Sequence, residues 1–459
     1  MTGTGPLYPT QERLWRLDQR QPGRQDFLVA GLVRLSGDVD EAALQYALET
    51  VVARHESLRT GFRSTADGPH RFVVDPPVRV LRRFDVRDAP SPYQRALDIG
   101  EEHCTRPFDL SDPPLLRAAL ARYGDTERLL ALVMHHIITD GFSSGIVLRE
   151  MSELYRGRVI GQRVTLPEPT AQYGEFVDRQ YAWFSGEEAR QDLRYWLGEL
   201  RGHRPLRLRP SARAVPADGP CGDAYNLTFP QELSERTRLF AREQGCTPYL
   251  VLLAVMYLLV HLYTGERDIA LGSAMANRGR TEYEDMVGYL RNIVVLRETV
   301  HGDRSFTQLL AAIRAHVLSA YDHQALPFDH VVRALDGARP QDGGEELLYP
   351  DVLFCTDSSA AVRWDLPGTA VERIDRRRVV SKRAMTVFLQ ERDPHLALRF
   401  VHRPDVLGAD DVLALGEICQ ALIRRILTAP ETKLNVLVGE AELPTWWHPR
   451  PVGQKGAPV

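Results

Sequence analysis

Apolar residues along the chain follow two spacings, and each predicts a different element. Within 39–55 they fall three or four positions apart, which is typical of an amphipathic helix. Within 129–134 they form a short continuous run, which favours a buried strand. On this basis, the chain has predicted strands at 27–35, 71–74, 128–138, 269–274, 293–299, 351–355, 386–390 and 396–401. The predicted helices are 39–55, 144–155, 248–263, 305–320 and 409–427, and 173–200 is predicted to be one long helix or a broken helical pair. The sequence therefore predicts a mixed α and β fold.

The length of 459 residues exceeds one ordinary core and predicts two domains. The stretch 157–170 has weak periodicity and two prolines, so we expect it to link them. The apolar run 249–263 is shorter than the ~20 residues that a membrane span needs. Because Thr247 and Pro248 suit a helix start, this run predicts a buried core helix.

Composition narrows the class of protein. The chain is 44% hydrophobic and 26% charged, which is typical of a globular protein, and no membrane segment is predicted. A net charge of -4 gives no basic surplus that would indicate nucleic-acid binding. No signal peptide is visible at the N-terminus, so we expect a cytoplasmic protein. The five cysteines, at 104, 221, 246, 355 and 419, show no CxxC spacing, which favours a reducing compartment without disulfides or zinc.

Residues 135–141 carry the most informative chemistry and read His-His-Ile-Ile-Thr-Asp-Gly. Successive strand side chains point to opposite faces, so His135 and His136 are expected to serve different surfaces. One should support the structure, and the other should face a site. Asp140 and Gly141 then predict a turn, with a helix beginning near Ser143 or Ser144 as N-cap.

Three interpretations of the histidine pair stay open on the residues alone. The first is a pair of hydrogen-bonded structural residues. The second is a metal site of two histidines and a carboxylate, which neighbouring strand residues disfavour because their side chains diverge. The third is acid–base chemistry by one imidazole, which titrates near neutrality.

The motif at 135–141 has the form HHxxxDG, and other segments accompany it in order along nearly the whole chain. Together they resemble the condensation domains of nonribosomal peptide synthetases, within the superfamily of chloramphenicol acetyltransferase-like acyltransferases. The accompanying segments are 10–15 (TQERLW), 54–60 (RHESLRT), 173–183, 272–280 (ending in an Asn-Arg segment), 287–292 (VGYLRN) and 323–328 (HQALPF).

The resemblance implies a mixed fold of two chloramphenicol acetyltransferase-like lobes, which form a V around a central tunnel. We expect the N-terminal lobe at 1–168 and the C-terminal lobe at 169–446. Residues 447–459 are expected to be a disordered tail.

The resemblance also implies roles for the motif residues. His136 would take a proton from the attacking amine or alcohol, or would orient that group and stabilise the intermediate. His135 is expected to be structural, and the Gly141 backbone N–H is expected to help bind the oxyanion. Asp140 is expected to pair with Arg278 rather than act as a base.

Three further residues are candidate contacts to substrate in the tunnel, namely Arg291, Asn292 and Ser143. Arg291 stands where the family usually has a small apolar residue, and its guanidinium would suit a carboxylate or a phosphate. A solvent-facing loop residue is the alternative. The segment 347–354 matches poorly the family motif that contains Asn-Pro-Leu.

Two subtypes are disfavoured by the motif. Heterocyclising relatives carry aspartate in place of His135, and epimerising relatives usually carry tryptophan where Ser144 stands. No adenylation or carrier domain is recognised in the chain, so a free-standing condensation enzyme is expected.

Such an enzyme transfers an acyl or aminoacyl group from the phosphopantetheine thioester of an acyl or peptidyl carrier protein. The acceptor would be a small-molecule amine or alcohol, giving an amide or an ester in natural-product biosynthesis. No permanently bound cofactor or metal is expected. Two alternatives remain: an acyltransferase that uses coenzyme A, and a catalytically silent module that binds a partner.

Overall fold

A computed structural model describes residues 2–439, except 77–78, 204–205, 207, 209, 212, 216–221, 337–349, 358–363, 375 and 377–378. The predicted mixed fold class is confirmed. The described strands are β1 (Thr2–Pro6), β2 (Leu28–Gly37), β3 (Thr60–Thr65), β4 (Gly68–Val73), β5 (Leu81–Asp85), β6 (Leu116–Arg122), β7 (Glu127–His135), β8 (Asp223–Thr228), β9 (Asp268–Met275), β10 (Asn292–Thr299), β11 (Val352–Thr356), β12 (Thr369–Arg373), β13 (Met385–Arg392) and β14 (His395–His402). The described helices are α1 (Pro9–Arg20), α2 (Glu41–Arg54), α3 (Pro92–Thr105), α4 (Gly141–Val159), α5 (Tyr173–Phe184), α6 (Glu187–Glu199), α7 (Gln231–Glu243), α8 (Pro248–Thr264), α9 (Phe306–Asp322), α10 (Phe328–Asp336), α11 (Ala409–Thr428) and α12 (Leu434–Gly439).

The chain forms two compact units, and neither is continuous in sequence. Unit 1 comprises Met1–Arg190, Ala276–Arg291 and Ala361–Arg377, and unit 2 comprises Gln191–Met275, Asn292–Ala360 and Arg378–Val459. This division differs from the expected boundary between 168 and 169. Helix α5 belongs to unit 1, because Phe176 and Val177 pack in one apolar cluster with Tyr8, Tyr283 and Leu290. The expected tail at 447–459 lies outside the described residues.

Unit 1 is built on a five-stranded sheet of order β12-β2-β7-β6-β5. Both faces of β7 are buried, which explains its continuous apolar run. Leu130, Leu132 and Met134 belong to a core cluster that includes α2 and α4 residues, whereas Leu129 and Val133 belong to the cluster beneath α3. The register pairs Leu28 of β2 with His135, so β7 delivers His135 to the end of the sheet. A second sheet, of order β1-β4-β3, also belongs to this unit.

Unit 2 is built on a six-stranded sheet of order β10-β9-β11-β13-β14-β8. The core helix predicted at 248–263 is confirmed as α8, which packs against α7, α9 and α11. It has proline in its first turn, and Gly265 caps its C-terminal end in the left-handed conformation, with φ of 74°. In the described part of the chain, no single helix is long and apolar enough to cross a membrane; α7 and α8 meet the criteria only as a pair bent by 102°.

The segment 173–200, predicted as one long helix or a broken helical pair, is a pair, α5 and α6, separated at Ser185 and Gly186. Some other elements differ from the sequence prediction. The polar N-terminal residues form β1, which pairs with β4. Strands β5 and β6 and helices α1 and α3 were not predicted. These elements depend on pairing or packing with distant segments, which local patterns do not report.

Asp18 on α1 is a buried acid of unit 1, with 7% of its surface exposed. Burial raises the pKa of its carboxyl to about 6, with the charges of Asp109 and Asp26 acting in the same direction and that of Arg24 opposing them. The folded state therefore holds the Asp18 proton to a higher pH than the unfolded state does. It follows that ionisation of Asp18 destabilises the fold as the pH rises from about 4 through 6.

We expect Asp18→Asn to raise the free energy of unfolding by about 1–2 kcal/mol at pH 7.5 and to leave it nearly unchanged at pH 4. The asparagine mimics the protonated acid and cannot ionise. Urea unfolding at both pH values measures the difference, with Asp67→Asn in the exposed β3–β4 turn as control. Equal effects at the two pH values would contradict the assignment.

Candidate active site

The segment after β7 forms a short turn that leads directly into a helix. Strand β7 ends at His135, residues 136–138 make one 3-10 turn, and α4 begins at Gly141. The N-cap is Asp140, whose Oδ1 accepts the Ser143 N–H at 2.7 Å. The prediction that Ser143 or Ser144 caps the helix was wrong, because the extended backbone of Asp140 puts its carboxylate over the first turn.

His135 is enclosed within unit 1, with 2% of its surface exposed. Its Nδ1 accepts the Ile137 N–H at 3.1 Å, which ties the ring to the turn. The ring lies against Phe27 and Phe108, at 6.2 and 6.3 Å between centroids. These contacts fit a structural histidine.

His136 is only partly buried, and its hydrogen bond determines its tautomer. Nδ1 lies 2.7 Å from the Thr139 carbonyl, which can only accept, so Nδ1 carries the proton. The lone pair of the neutral ring is then on Nε2. The Tyr289 ring packs edge-on against the imidazole at 4.9 Å between centroids. The two histidines do point to different surroundings, but strand alternation is not the reason, because the strand ends between them.

Gln11 of α1 holds the turn from a distant part of the sequence. Its Nε2 donates to the Ile137 carbonyl at 2.8 Å, and its Oε1 accepts the Tyr8 N–H at 3.2 Å. Only 1% of its surface is exposed. Gln11 stands in the TQERLW segment, but no role was predicted for it or for Tyr289.

Asp140 has both carboxylate oxygens occupied and 1% of its surface exposed. Beyond the helix cap, Oδ2 accepts the backbone N–H groups of Leu290 and Arg291, each at 3.1 Å. The Arg278 guanidinium lies 3.5 Å from Oδ1. This carboxylate is therefore enclosed by donors, which suits an anchoring group and not a base.

Arg278 joins the motif to the segment 276–291. Its Nη1 donates to the carbonyls of Met286, at 2.8 Å, and Tyr283, and its Nη2 donates to the Ser143 hydroxyl at 2.8 Å. The guanidinium also stacks on the Phe142 ring at 4.5 Å. Burial lowers the pKa of Arg278, and the Asp140 charge opposes that shift. The structure thus brings together Asp140 and Arg278, the pair that the family resemblance implied.

Ser143 and Asn292 differ from the expectation that they contact substrate. Ser143 is fully buried, and its hydroxyl donates to the Gly288 carbonyl at 2.8 Å and accepts the Gly288 N–H at 3.1 Å. Asn292, in unit 2, donates to the carbonyls of Gln324 and Leu326 and accepts the Phe328 N–H. Both side chains are committed to backbone groups, so they hold segments in place.

Arg291 has a different environment. Its backbone N–H is bound to Asp140, while its side chain is partly buried. The side-chain Nε is enclosed and has no hydrogen-bond partner in the described residues. An unsatisfied donor at this position is consistent with an anionic ligand, as expected from the sequence.

The backbone at position 288 lies so close to helix α5 that only glycine fits there. A Cβ at this position would lie 2.0 Å from a ring carbon of Tyr173. The Tyr173 hydroxyl donates to the Tyr289 carbonyl at 2.9 Å, so α5 fixes the backbone that carries Tyr289. Over the described residues, no three His, Cys, Asp or Glu side chains are grouped as a metal site would need.

We expect Arg278→Met to lower the free energy of unfolding by about 3–5 kcal/mol, because it leaves Asp140 buried without its cation. The double variant with Asp140→Asn should lose less than the sum of the two single losses. Urea unfolding of the four proteins measures this coupling.

Arg149→Gln is the matched control for that experiment. Arg149 also joins α4 to the segment 276–291, through Asp285 at 2.7 Å, but this ion pair is exposed. Its loss should cost less than about 1 kcal/mol. Equal losses for Arg149→Gln and Arg278→Met would refute the buried clamp.

Known proteins are similar to this chain in both sequence and fold. The family model for the condensation domain matches residues 1–441. Chondramide synthase cmdD from Chondromyces crocatus is 31% identical over 446 residues, which cover 96% of this chain and 11% of that protein. This chain therefore spans a small part of that relative's length.

Two solved structures match over nearly all of their own length. One is the first condensation domain of the calcium-dependent antibiotic synthetase in complex with substrate analogue 2a. The two structures superpose with a TM-score of 0.77 at 22% identity, and the match covers 94% of this chain and 98% of that domain's chain. The complex of the X-domain and OxyB from teicoplanin biosynthesis gives a TM-score of 0.80 at 20% identity, with 95% of each chain covered. The resemblance inferred from the motifs is confirmed: the chain belongs to the condensation domain family of the nonribosomal peptide synthetases.

Proposed function

We propose that this chain is an acyltransferase that joins an acyl or aminoacyl group, carried as a thioester on a carrier protein, to an amine or alcohol. The observation that carries the proposal is the hydrogen bond between His136 Nδ1 and the Thr139 carbonyl. It leaves Nε2 as a hydrogen-bond acceptor, as required of a group that receives a proton.

In the proposed step, the acceptor's nitrogen or oxygen attacks the thioester carbonyl, and its proton passes to His136 Nε2. The tetrahedral intermediate then collapses, the C–S bond breaks, and the thiolate of the carrier's phosphopantetheine leaves and takes up the proton from His136 Nε2. The same Nε2 would serve equally to orient the attacking group and to stabilise the intermediate. The acyl group thus moves to the acceptor in a step that this chain's own residues can assist.

The start of α4 supports charge development near His136. Gly141 is the first residue of this helix, where backbone N–H groups lack partners within the helix. Helix N-termini favour negative charge. We therefore assign the Gly141 N–H as a candidate donor to the oxyanion.

Two other functions remain as alternatives. An acyltransferase that takes coenzyme A would use the same His136 chemistry. A catalytically silent module that binds a partner is favoured by the fold shared with the X-domain, which was solved in complex with OxyB. The part-buried His136 with a defined tautomer favours the enzymes.

An assay with purified protein separates these functions. Acyl-loaded carrier proteins and acyl-coenzyme A are each offered with a panel of amines and alcohols, and products are measured by mass spectrometry. Transfer from carrier protein supports the proposal, and transfer from coenzyme A alone would overturn it. No transfer from either donor would favour the silent module.

We expect His136→Ala to reduce the rate of transfer by ~100-fold or more, because general base catalysis contributes about that much. His301→Ala is the control, since His301 is exposed on a loop of unit 2. Both variants should unfold at the wild-type denaturant concentration within error. An undiminished rate for His136→Ala would remove this residue from the mechanism.

We further expect Arg291→Ala to lower transfer with carboxylate-bearing substrates about 10-fold more than with their neutral amides. A bound carboxylate would satisfy the enclosed guanidinium, and an amide would do so less well. Arg291→Lys should restore part of the preference. Equal losses for the two substrate types would contradict a role in recognition.

A further inference from the structure

A cavity of about 400 Å³ opens in unit 1, where β5 and β6 begin at the edge of the five-stranded sheet, and His136 is not among its lining residues. Its walls are apolar side chains of β5, β6 and the segment 106–114. Arginines dominate its polar lining, at positions 79, 82, 106 and 117. Nothing in the proposed acyl transfer uses this cavity.

The charges around the cavity are unbalanced. Four arginines face two acids, Asp109 and Asp112, and none of the four makes an ion pair with an acid of the described chain. Asp109 is already engaged, because its Oδ1 accepts both the N–H and the O–H of Ser111, at 2.8 and 2.7 Å. The cavity therefore has a net positive lining.

Arg117 is the most enclosed of these cations. Its guanidinium donates to neutral backbone carbonyls, those of His103 at 2.8 and 3.0 Å, Pro107 at 3.3 Å and Arg106. It stacks on the Phe108 ring at 3.9 Å from the centroid. Burial lowers the pKa of Arg117 to about 10, and the charge of Arg106 contributes to that shift. An anion in the cavity would offset the free-energy cost of burying the charged Arg117 guanidinium.

His103 adds an acceptor to the same lining, with only 7% of its surface exposed. Its Nδ1 lies 2.9 Å from the Ile99 carbonyl and therefore carries the proton of the neutral ring. Burial lowers the pKa of His103, and the charges of Arg117 and Arg82 also lower it. The Nε2 atom is buried and has no hydrogen-bond partner among the described residues.

We propose that this cavity binds a phosphate monoester with a short apolar stem, with the arginines neutralising the phosphate and His103 Nε2 accepting a hydrogen bond from its P–OH group. A phosphate monoester can retain one proton near neutral pH, since its second pKa is about 6. A carboxylate, a sulfate ester or a phosphodiester is fully deprotonated there and would leave the buried Nε2 unsatisfied. The apolar walls accommodate the stem.

Phe108 gives the proposed site a route to the active-site turn. One face of this ring carries the Arg117 guanidinium, and the ring also packs edge-on against His135. Phe108 therefore lies between the proposed site and the residue beside His136.

Isothermal titration of the full chain with n-butyl phosphate, n-butyl sulfate and di-n-butyl phosphate tests the assignment. We expect n-butyl phosphate to bind at one site, with Kd at least ~10-fold lower than for the other two, which lack the P–OH proton. Equal binding of the sulfate and the phosphate would overturn the role of His103. Absence of n-butyl phosphate binding would overturn the site.

Variants at the mouth of the cavity locate the binding. The side chains of Arg82 and Arg106 are exposed, so Arg82→Gln with Arg106→Gln should fold normally and raise the Kd at least ~10-fold. Arg95→Gln is the matched control, because Arg95 is exposed on α3 but does not line the cavity. An unchanged Kd in the double variant, or an equal change in the control, would place the ligand elsewhere and overturn the proposal.

Discussion

The buried carboxylate of Asp140 is the constraint on which the candidate site depends. An ionised group this far from water is stable only when its lone pairs are directed at donors. The donors come from the first turn of its own helix and from a segment about 150 residues later in the chain, at Arg278, Leu290 and Arg291. Once these donors are in place, the start of α4 and the backbone around Tyr289 are fixed with respect to each other.

The two histidines are held from different directions. The buried ring of His135 fills a space between aromatic side chains and accepts a backbone N–H, so it anchors the turn from within. Gln11 binds the same turn from α1, and Tyr289 covers one side of the His136 ring. The hydrogen bond from His136 Nδ1 to the Thr139 carbonyl makes Nε2 the acceptor atom of the neutral ring. The candidate reactive atom is thus positioned by groups that do not react.

The features best predicted from the sequence are those that are encoded locally. Strand β7 and helix α8 are continuous apolar runs of the right lengths, and both were found. The pairing of Asp140 with Arg278 followed from the family resemblance, since no local pattern connects residues so far apart. The helix cap was missed because aspartate and serine are both good N-caps, and backbone conformation decides between them.

Other features could not be predicted because distant segments create them. Strand β6 has the sequence Leu-Arg-Ala-Ala-Leu-Ala-Arg, which suits a helix by composition, but β7 and β5 pair with its two edges. Ser143 and Asn292 carry polar groups expected to meet a ligand, yet backbone groups remote in sequence occupy them. Arg291 was singled out by its unusual residue type, and its side-chain Nε has no hydrogen-bond partner in the described residues.

The edge strand β12 has a consequence for how the protein forms during synthesis. It pairs with β2 along Val33–Gly37, although more than 300 residues separate the two strands. Unit 1 also needs the segment 276–291 to supply the donors for Asp140. A ribosome must therefore translate most of unit 2 before the first sheet can gain its last strand. Until these segments have been made, the edge of β2 and the Asp140 carboxylate are open to water and to other chains, so the N-terminal half needs protection while it is incomplete.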